Sequence, residues 1–146
     1  MVLNADFVAF IASLNARDVR YLVVGGYAVA YHGHPRYTKD LDVWIERDAD
    51  NADRLLQALR DFGFGSLDLD RSDFLNPDQV VQLGYPPNRI DLLSELEGVT
   101  FSNCHEERVS VTVDGERAWF IGLQHLKITK RETARHQDWA DLENLP

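Results

Sequence analysis

The stretch from Tyr21 to Glu46, YLVVGGYAVAYHGHPRYTKDLDVWIE, constrains this chain more than any other. Val19 to Val24 is a short β-branched and aromatic run that stops at a glycine pair, which predicts a buried strand. Gly25 and Gly26 permit a tight turn with positive φ and leave the backbone uncovered. Tyr27 to Tyr31 then predicts a short helix ended by Gly33 and Pro35, and Leu41 to Ile45 a second strand. Asp40 and Asp42 stand at the head of that strand. Strand side chains alternate faces, so the two carboxylates project from the same face. Like charges aimed one way are costly unless something positive sits between them, and the usual solution is a divalent cation.

The remaining segments supply the frame. Asn4 is a good N-cap, and Phe7, Phe10, Ile11 and Leu14 follow at helical spacing, which predicts a helix to about Asn15. Asp48 or Asp50 can cap a further helix whose Leu55, Leu56, Leu59 and Phe62 form one apolar face, with Gly63 as its stop. Residues 64–79 are polar and carry no clear period. Val80 to Leu83 and Arg89 to Leu93 read as strands joined by the turn Gly84-Tyr-Pro-Pro-Asn88. Val109, Val111 and Val113 alternate with polar residues up to Asp114-Gly115, a hairpin turn, and Arg117 to Ile121 is the returning strand. From Leu123 to Leu145 the spacing is helical, with a break expected near Thr133. Trp44, Trp119 and Trp139 are read as core residues on separate elements. The pattern is one α/β domain over residues 1–146, with no repeat, linker or low-complexity tract.

Composition closes off other classes. At 146 residues, 45% hydrophobic and 27% charged, the chain can bury a real core and does not resemble a disordered one. No run approaches the roughly 18 apolar residues of a membrane span. The N-terminus shows no basic segment ahead of an apolar one, so no secretory signal is expected. Cys104 is the single cysteine and cannot form an internal disulfide, which suits a cytoplasmic location. A net charge of −9 argues against broad non-specific binding to nucleic acid, and suits a cationic small molecule or a protein acceptor.

A strand that feeds a glycine turn and a helix N-terminus offers free N–H groups to an anion, so Gly25-Gly26 is a candidate phosphate cradle. It is neither a Walker loop, which needs a closing GK[ST], nor the GxGxxG of dinucleotide folds. The Asp-x-Asp pair that follows within reach of one cleft strengthens it. Other constellations are weaker. His32-x-His34 offers two zinc ligands without a third. Asp48 to Asp53 lacks the glycine and final Glu of a calcium loop and reads as a helix cap. No Ser-His-Asp or Cys-His arrangement is present, and Cys104 has little basic surrounding beyond His105.

Taken together, Gly25-Gly26, Arg36, Thr38 and Asp40-Leu-Asp42 resemble the signature of the nucleotidyltransferase superfamily related to DNA polymerase β. The fuller string VGGYAVAYHGHPRYTKDLDVWI is similar to small bacterial members grouped with the abortive-infection (AbiE-type) toxin nucleotidyltransferases. Arg89-Ile-Asp91 matches that family's third carboxylate strand. Leu126, Lys130, Arg135, Asp138 and Asp141-Leu142 match its C-terminal pattern, so the resemblance touches about half the chain.

The resemblance implies a mixed sheet flanked by helices and transfer of a nucleoside monophosphate from an NTP to a hydroxyl, dependent on Mg²⁺ or Mn²⁺. Asp40, Asp42 and Asp91 would be the catalytic, metal-binding carboxylates, and Asp91 would also polarise the acceptor hydroxyl. Gly25 and Gly26 would hold the triphosphate through backbone amides. Arg36, Lys39 and Lys130 would neutralise it, with Thr38 in the same binding loop. Plainer readings stand beside these: a solvated acidic strand start, ordinary loop charges at Arg36 and Lys39, a surface lysine at Lys130, and an i,i+3 pair of Arg135 with Asp138. Asp141 is read as structural.

Many family members carry Gly-Ser where this chain has Gly25-Gly26, and full-sized toxin members carry an extra region. The acceptor-selecting part is therefore expected to be small, or to come from a homodimer or a cognate toxin–antitoxin partner. RNA or tRNA, a protein, or an antibiotic-type small molecule remain as acceptors. A catalytically silent module or antitoxin is the alternative outside enzymes.

Overall fold

The computed structural model describes residues 4–33, 38–65, 67–85, 88–133 and 136–146. Asn4 accepts the Asp6 amide at 2.7 Å and so caps α1 (Ala5–Ala16). This helix buries Phe7, Phe10, Ile11 and Leu14, the four positions picked out by spacing. β1 (Tyr21–Val24) follows and is buried on both faces. The separate glycine turn expected after it does not form. Instead α2 (Gly25–His32) starts on the first glycine, whose φ of +66° makes the whole change of direction from strand to helix.

β2 (Leu41–Ile45) runs antiparallel to β1, and α3 (Ala49–Phe62) begins where Asp48 accepts the Asn51 amide at 3.2 Å. Gly63 ends α3 in the left-handed conformation, as expected. The aperiodic stretch that follows is organised by a single 3₁₀ turn, Arg71–Phe74. Asp70 and Asp73 cap it reciprocally, and Phe74 is driven into the core. β3 (Val80–Leu83) and β4 (Ile90–Leu93) form the expected antiparallel pair; Pro86 and Pro87 of their turn lie outside the described residues.

A helix absent from the sequence reading, α4 (Phe101–Glu106), precedes the last hairpin. Six residues are too few to show a period, although Thr100 caps it. β5 (Val109–Val113) and β6 (Glu116–Phe120) turn through Asp114 and Gly115, both at positive φ, which is the two-residue geometry their sequence predicts. α5 (Leu123–Thr133) and α6 (His136–Asn144) are separated at the expected break.

The strands form one six-stranded mixed sheet in the order β3-β4-β2-β1-β6-β5. β1 pairs with β6, and β2 with β4, in parallel; the other neighbours are antiparallel. The Tyr21 hydroxyl donates to Asn15 Oδ1 of α1 at 2.9 Å, so α1, with α3 packed on it, covers the face that carries Tyr21. The opposite face carries Asp42 and Trp44, and Trp44 meets Phe101 of α4 edge-on at 5.1 Å. Of the three tryptophans read as core, Trp44 is buried and Trp119 lies under the Arg108 guanidinium at 4.3 Å. Trp139 is 53% exposed, because α6 turns Asp138 and Asp141 inward and leaves Trp139 on its outer side. No helix among the described residues is long and apolar enough to cross a membrane.

Candidate active site

Sheet register assembles the carboxylates. Asp42 on β2 is the Cα partner of Asp91 on β4 and of Val24 at the end of β1. Partners across a sheet share a face, so the Asp42 and Asp91 side chains stand next to each other. Asp40 immediately precedes β2, two positions from Asp42, and joins them. One guanidinium ties the cluster. Arg89 Nε donates to Asp91 Oδ1 at 2.9 Å, and its Nη2 donates to Asp91 Oδ2 at 3.3 Å and to Asp40 Oδ2 at 3.0 Å.

Asp42 stands outside that clamp. Burial, reinforced by the Asp91 and Asp40 charges, raises its pKa from 3.8 to about 7, against the opposing pull of Lys130 and Arg89. Gly25 packs against it so closely that a Cβ there would lie 2.1 Å from Asp42 Oδ2. The glycine is thus required twice, by its positive φ and by this contact. Gly26 is buried in the first turn of α2, which has no side-chain cap. The N-terminus of α2 therefore lies beside Asp42.

A cavity of about 220 Å³ opens beside these groups, lined by Gly25, Asp42, Leu93, Thr129, Lys130 and Asp138. Lys130 comes from α5 and is not the surface lysine of the plainer reading, since it is only 7% exposed. Its ammonium donates to Asp138 Oδ1 at 3.1 Å and lies 3.0 Å from Asp141 Oδ2, both carboxylates being fully buried on α6. Asp138 therefore serves Lys130; Arg135, its expected partner, lies outside the described residues, as does Arg36. Thr38 turns its carbonyl towards the Tyr27 hydroxyl at 3.4 Å, and Lys39 is exposed. Asp40, Asp42, Asp91, Gly25, Gly26 and Lys130 thus share one neighbourhood, while Thr38 and Lys39 do not line the cavity.

Among the described residues, no three ligating side chains close around one point as a finished metal cage. The donor chemistry nevertheless fits a hard divalent cation. Three carboxylates lie close together, one guanidinium engages two of them, and burial with the neighbouring negative charges raises the pKa of the third to about 7. His32 is engaged elsewhere, its Nε2 lying 2.7 Å from the Ile121 carbonyl, and His34 is outside the described residues. Cys104 is fully buried with its thiol pushed up to about 11 by that burial, which removes it as a nucleophile.

Two residues carry roles that the sequence alone does not assign. Arg89 belongs to a strand motif in the sequence, and its position two before Asp91 puts both on one strand face, a signal open to reading. Asp138 reaches Lys130 across the break between α5 and α6, and no spacing rule links them.

A family model for aminoglycoside-2''-adenylyltransferases matches residues 6–92, more than half of the chain. The match spans α1 to β4 and includes Gly25, Gly26, Asp40, Asp42, Arg89 and Asp91. A comparison with curated proteins finds no match.

Proposed function

The chain belongs to the aminoglycoside-2''-adenylyltransferase family, a nucleotidyltransferase-type family, and on that premise we propose that it transfers the nucleoside monophosphate of an NTP to a hydroxyl of a small cationic acceptor. ATP is the first donor to try, and an amino sugar of the kind in the family's description the first acceptor. The observation that carries the reading is the register of Asp42 against Asp91, with Gly25 packed on Asp42 at the mouth of a cavity.

In this reading the acceptor oxygen attacks the α-phosphorus, the α–β phosphoanhydride bond breaks, and pyrophosphate leaves. Asp91 takes the acceptor proton. Mg²⁺ or Mn²⁺, when held by Asp40, Asp42 and Asp91, would supply positive charge to the phosphate oxygens. The amides of Gly25 and Gly26 present donors to the triphosphate, and Lys130, fixed by Asp138 and Asp141, brings an ammonium to the cavity wall. Arg36, Thr38 and Lys39 remain candidates for the outer phosphates. A net charge of −9 supports a cationic acceptor over RNA.

The test uses purified protein, Mg²⁺ and each α-labelled NTP, with a panel of aminoglycosides on one arm and cell lysate on the other. Asp42→Asn is the control. Label on an aminoglycoside, lost in the control, supports the proposal. Label on an RNA or protein band would favour the AbiE-type reading, with a toxin–antitoxin partner to be sought. No transfer with any NTP, in Mg²⁺ or Mn²⁺, would leave the silent binding module.

A further inference from the structure

We propose that Arg89 is the site's resident counter-ion: its guanidinium holds Asp40 and Asp91 in the metal-free protein and competes with a divalent cation for them. Metal loading is then coupled to nucleotide. The inference rests on the reading of Asp40, Asp42 and Asp91 as metal ligands.

The geometry is that of competition for the same oxygens. Both oxygens of Asp91 and Oδ2 of Asp40 are already engaged by Arg89 at 2.9, 3.3 and 3.0 Å. Each carboxylate oxygen keeps a second lone pair, but a divalent cation seated on it would stand close to the guanidinium, and the two positive charges repel. The arginine cannot yield by losing a proton, since a guanidinium stays charged throughout the working pH range. Moving away relieves the repulsion.

The backbone decides which part of it moves. The Arg89 carbonyl accepts the Leu41 amide at 3.1 Å, so its main chain is pinned to β2 while the side chain, 29% exposed, lies at the solvent edge of the cluster. A released guanidinium would find its best alternative partner in a triphosphate, because its planar fork suits phosphate oxygens as well as carboxylates. Nucleotide therefore draws Arg89 off the carboxylates and favours the cation, and by linkage the cation favours nucleotide. Arg89 is on this account a positioning residue that sets when the metal site opens.

Mn²⁺ binding to the full chain at pH 8, read by the electron paramagnetic resonance of free Mn²⁺, tests this without turnover. It is measured with and without a non-hydrolysable α,β-methylene ATP. Arg89→Gln should bind Mn²⁺ about tenfold more tightly than wild type when nucleotide is absent, and should gain less from the analogue. Equal or weaker binding by Arg89→Gln, while wild type binds normally, overturns the proposal and leaves the metal reading intact. If neither protein binds Mn²⁺ with or without the analogue, the metal reading falls and takes this proposal with it. Should Arg89→Gln fail to fold, the Arg89 Nε–H resonance of wild type serves instead. It should shift on saturation with Mg²⁺ and the analogue, and a resonance unchanged at saturation overturns the proposal.

Discussion

Replacing Asp42 by Asn should make the metal-free protein more stable at pH 8 while removing its activity. The Asp42 proton is held until about pH 7 in the fold, against 3.8 for a free aspartate, because of burial and the neighbouring Asp91 and Asp40 charges. A folded-state pKa above the unfolded one means that stability is full below about 4 and falls as pH rises, until the folded group has ionised near 7. At about 1.36 kcal/mol per pH unit, that gap corresponds to roughly 4 kcal/mol of destabilisation in the alkaline limit. Relaxation and water entry reduce such figures, so about 2 kcal/mol is the expected gain for the isosteric, uncharged Asn. That corresponds to about 4–8 °C in Tm for a chain of this size. Calorimetry in EDTA at pH 4, 6 and 8 reads it: the advantage of Asp42→Asn should vanish near pH 4 and be largest at 8. An advantage independent of pH, or a variant less stable than wild type at pH 8, would refute the reasoning. The same result protects the labelling control, since lost transfer in a more stable variant is not unfolding.

Gly25→Ala should lose activity and stability together. Its backbone sits at φ +66°, worth about 1–2 kcal/mol against any L side chain, and the new methyl would displace the Asp42 carboxylate; a fully active Gly25→Ala would separate Asp42 from the chemistry. Asn51→Ala should lower the urea midpoint by the equivalent of about 2–4 kcal/mol. The fully buried Asn51 amide accepts the Arg20 N–H and donates to the Arg20 and Glu46 carbonyls, and a change under 1 kcal/mol (roughly one exposed bond) would contradict that role. Lys130→Met should cost about 3 kcal/mol at pH 8, because it removes the ammonium that lies against two fully buried carboxylates, Asp138 and Asp141. Unchanged urea stability would show that the ammonium does not anchor α5 to α6.

Wherever one element's own pattern was enough, the sequence reading met the structure. The helix faces of Phe7–Leu14 and Leu55–Leu59, the alternation of Val109–Val113 and the Asp114-Gly115 turn are local signals, and each lies where it was expected. The mixed sheet with flanking helices was legible through the resemblance. What escaped was set by length or by distance along the chain. α4 is too short to carry a period, and the 3₁₀ turn that buries Phe74 depends on two aspartates three residues apart in a polar stretch. The pairing of Lys130 with Asp138 and Asp141 joins two helices across a break. Asn51 looked like part of a cap, and its bonds to Arg20 and Glu46 appear only once β1 and β2 are side by side. The burial of Trp44 and the exposure of Trp139 likewise follow from which face each element turns to the sheet.

The pairing of Leu41 with Ile90 through Trp44 with Leu93 has a consequence for how this site can be gained or lost. Because strand side chains repeat every two residues, sliding β4 by one position would put Asp91 among the packed residues under α1 and α3 and bring Ile90 or Leu92 up beside Asp42. A single inserted or deleted residue between β3 and β4 could therefore abolish the carboxylate row without altering any of the acids that form it. The spacing between those strands is inherited information as much as the aspartates are. Two chains carrying all three acids but differing by one residue there need not share a chemistry.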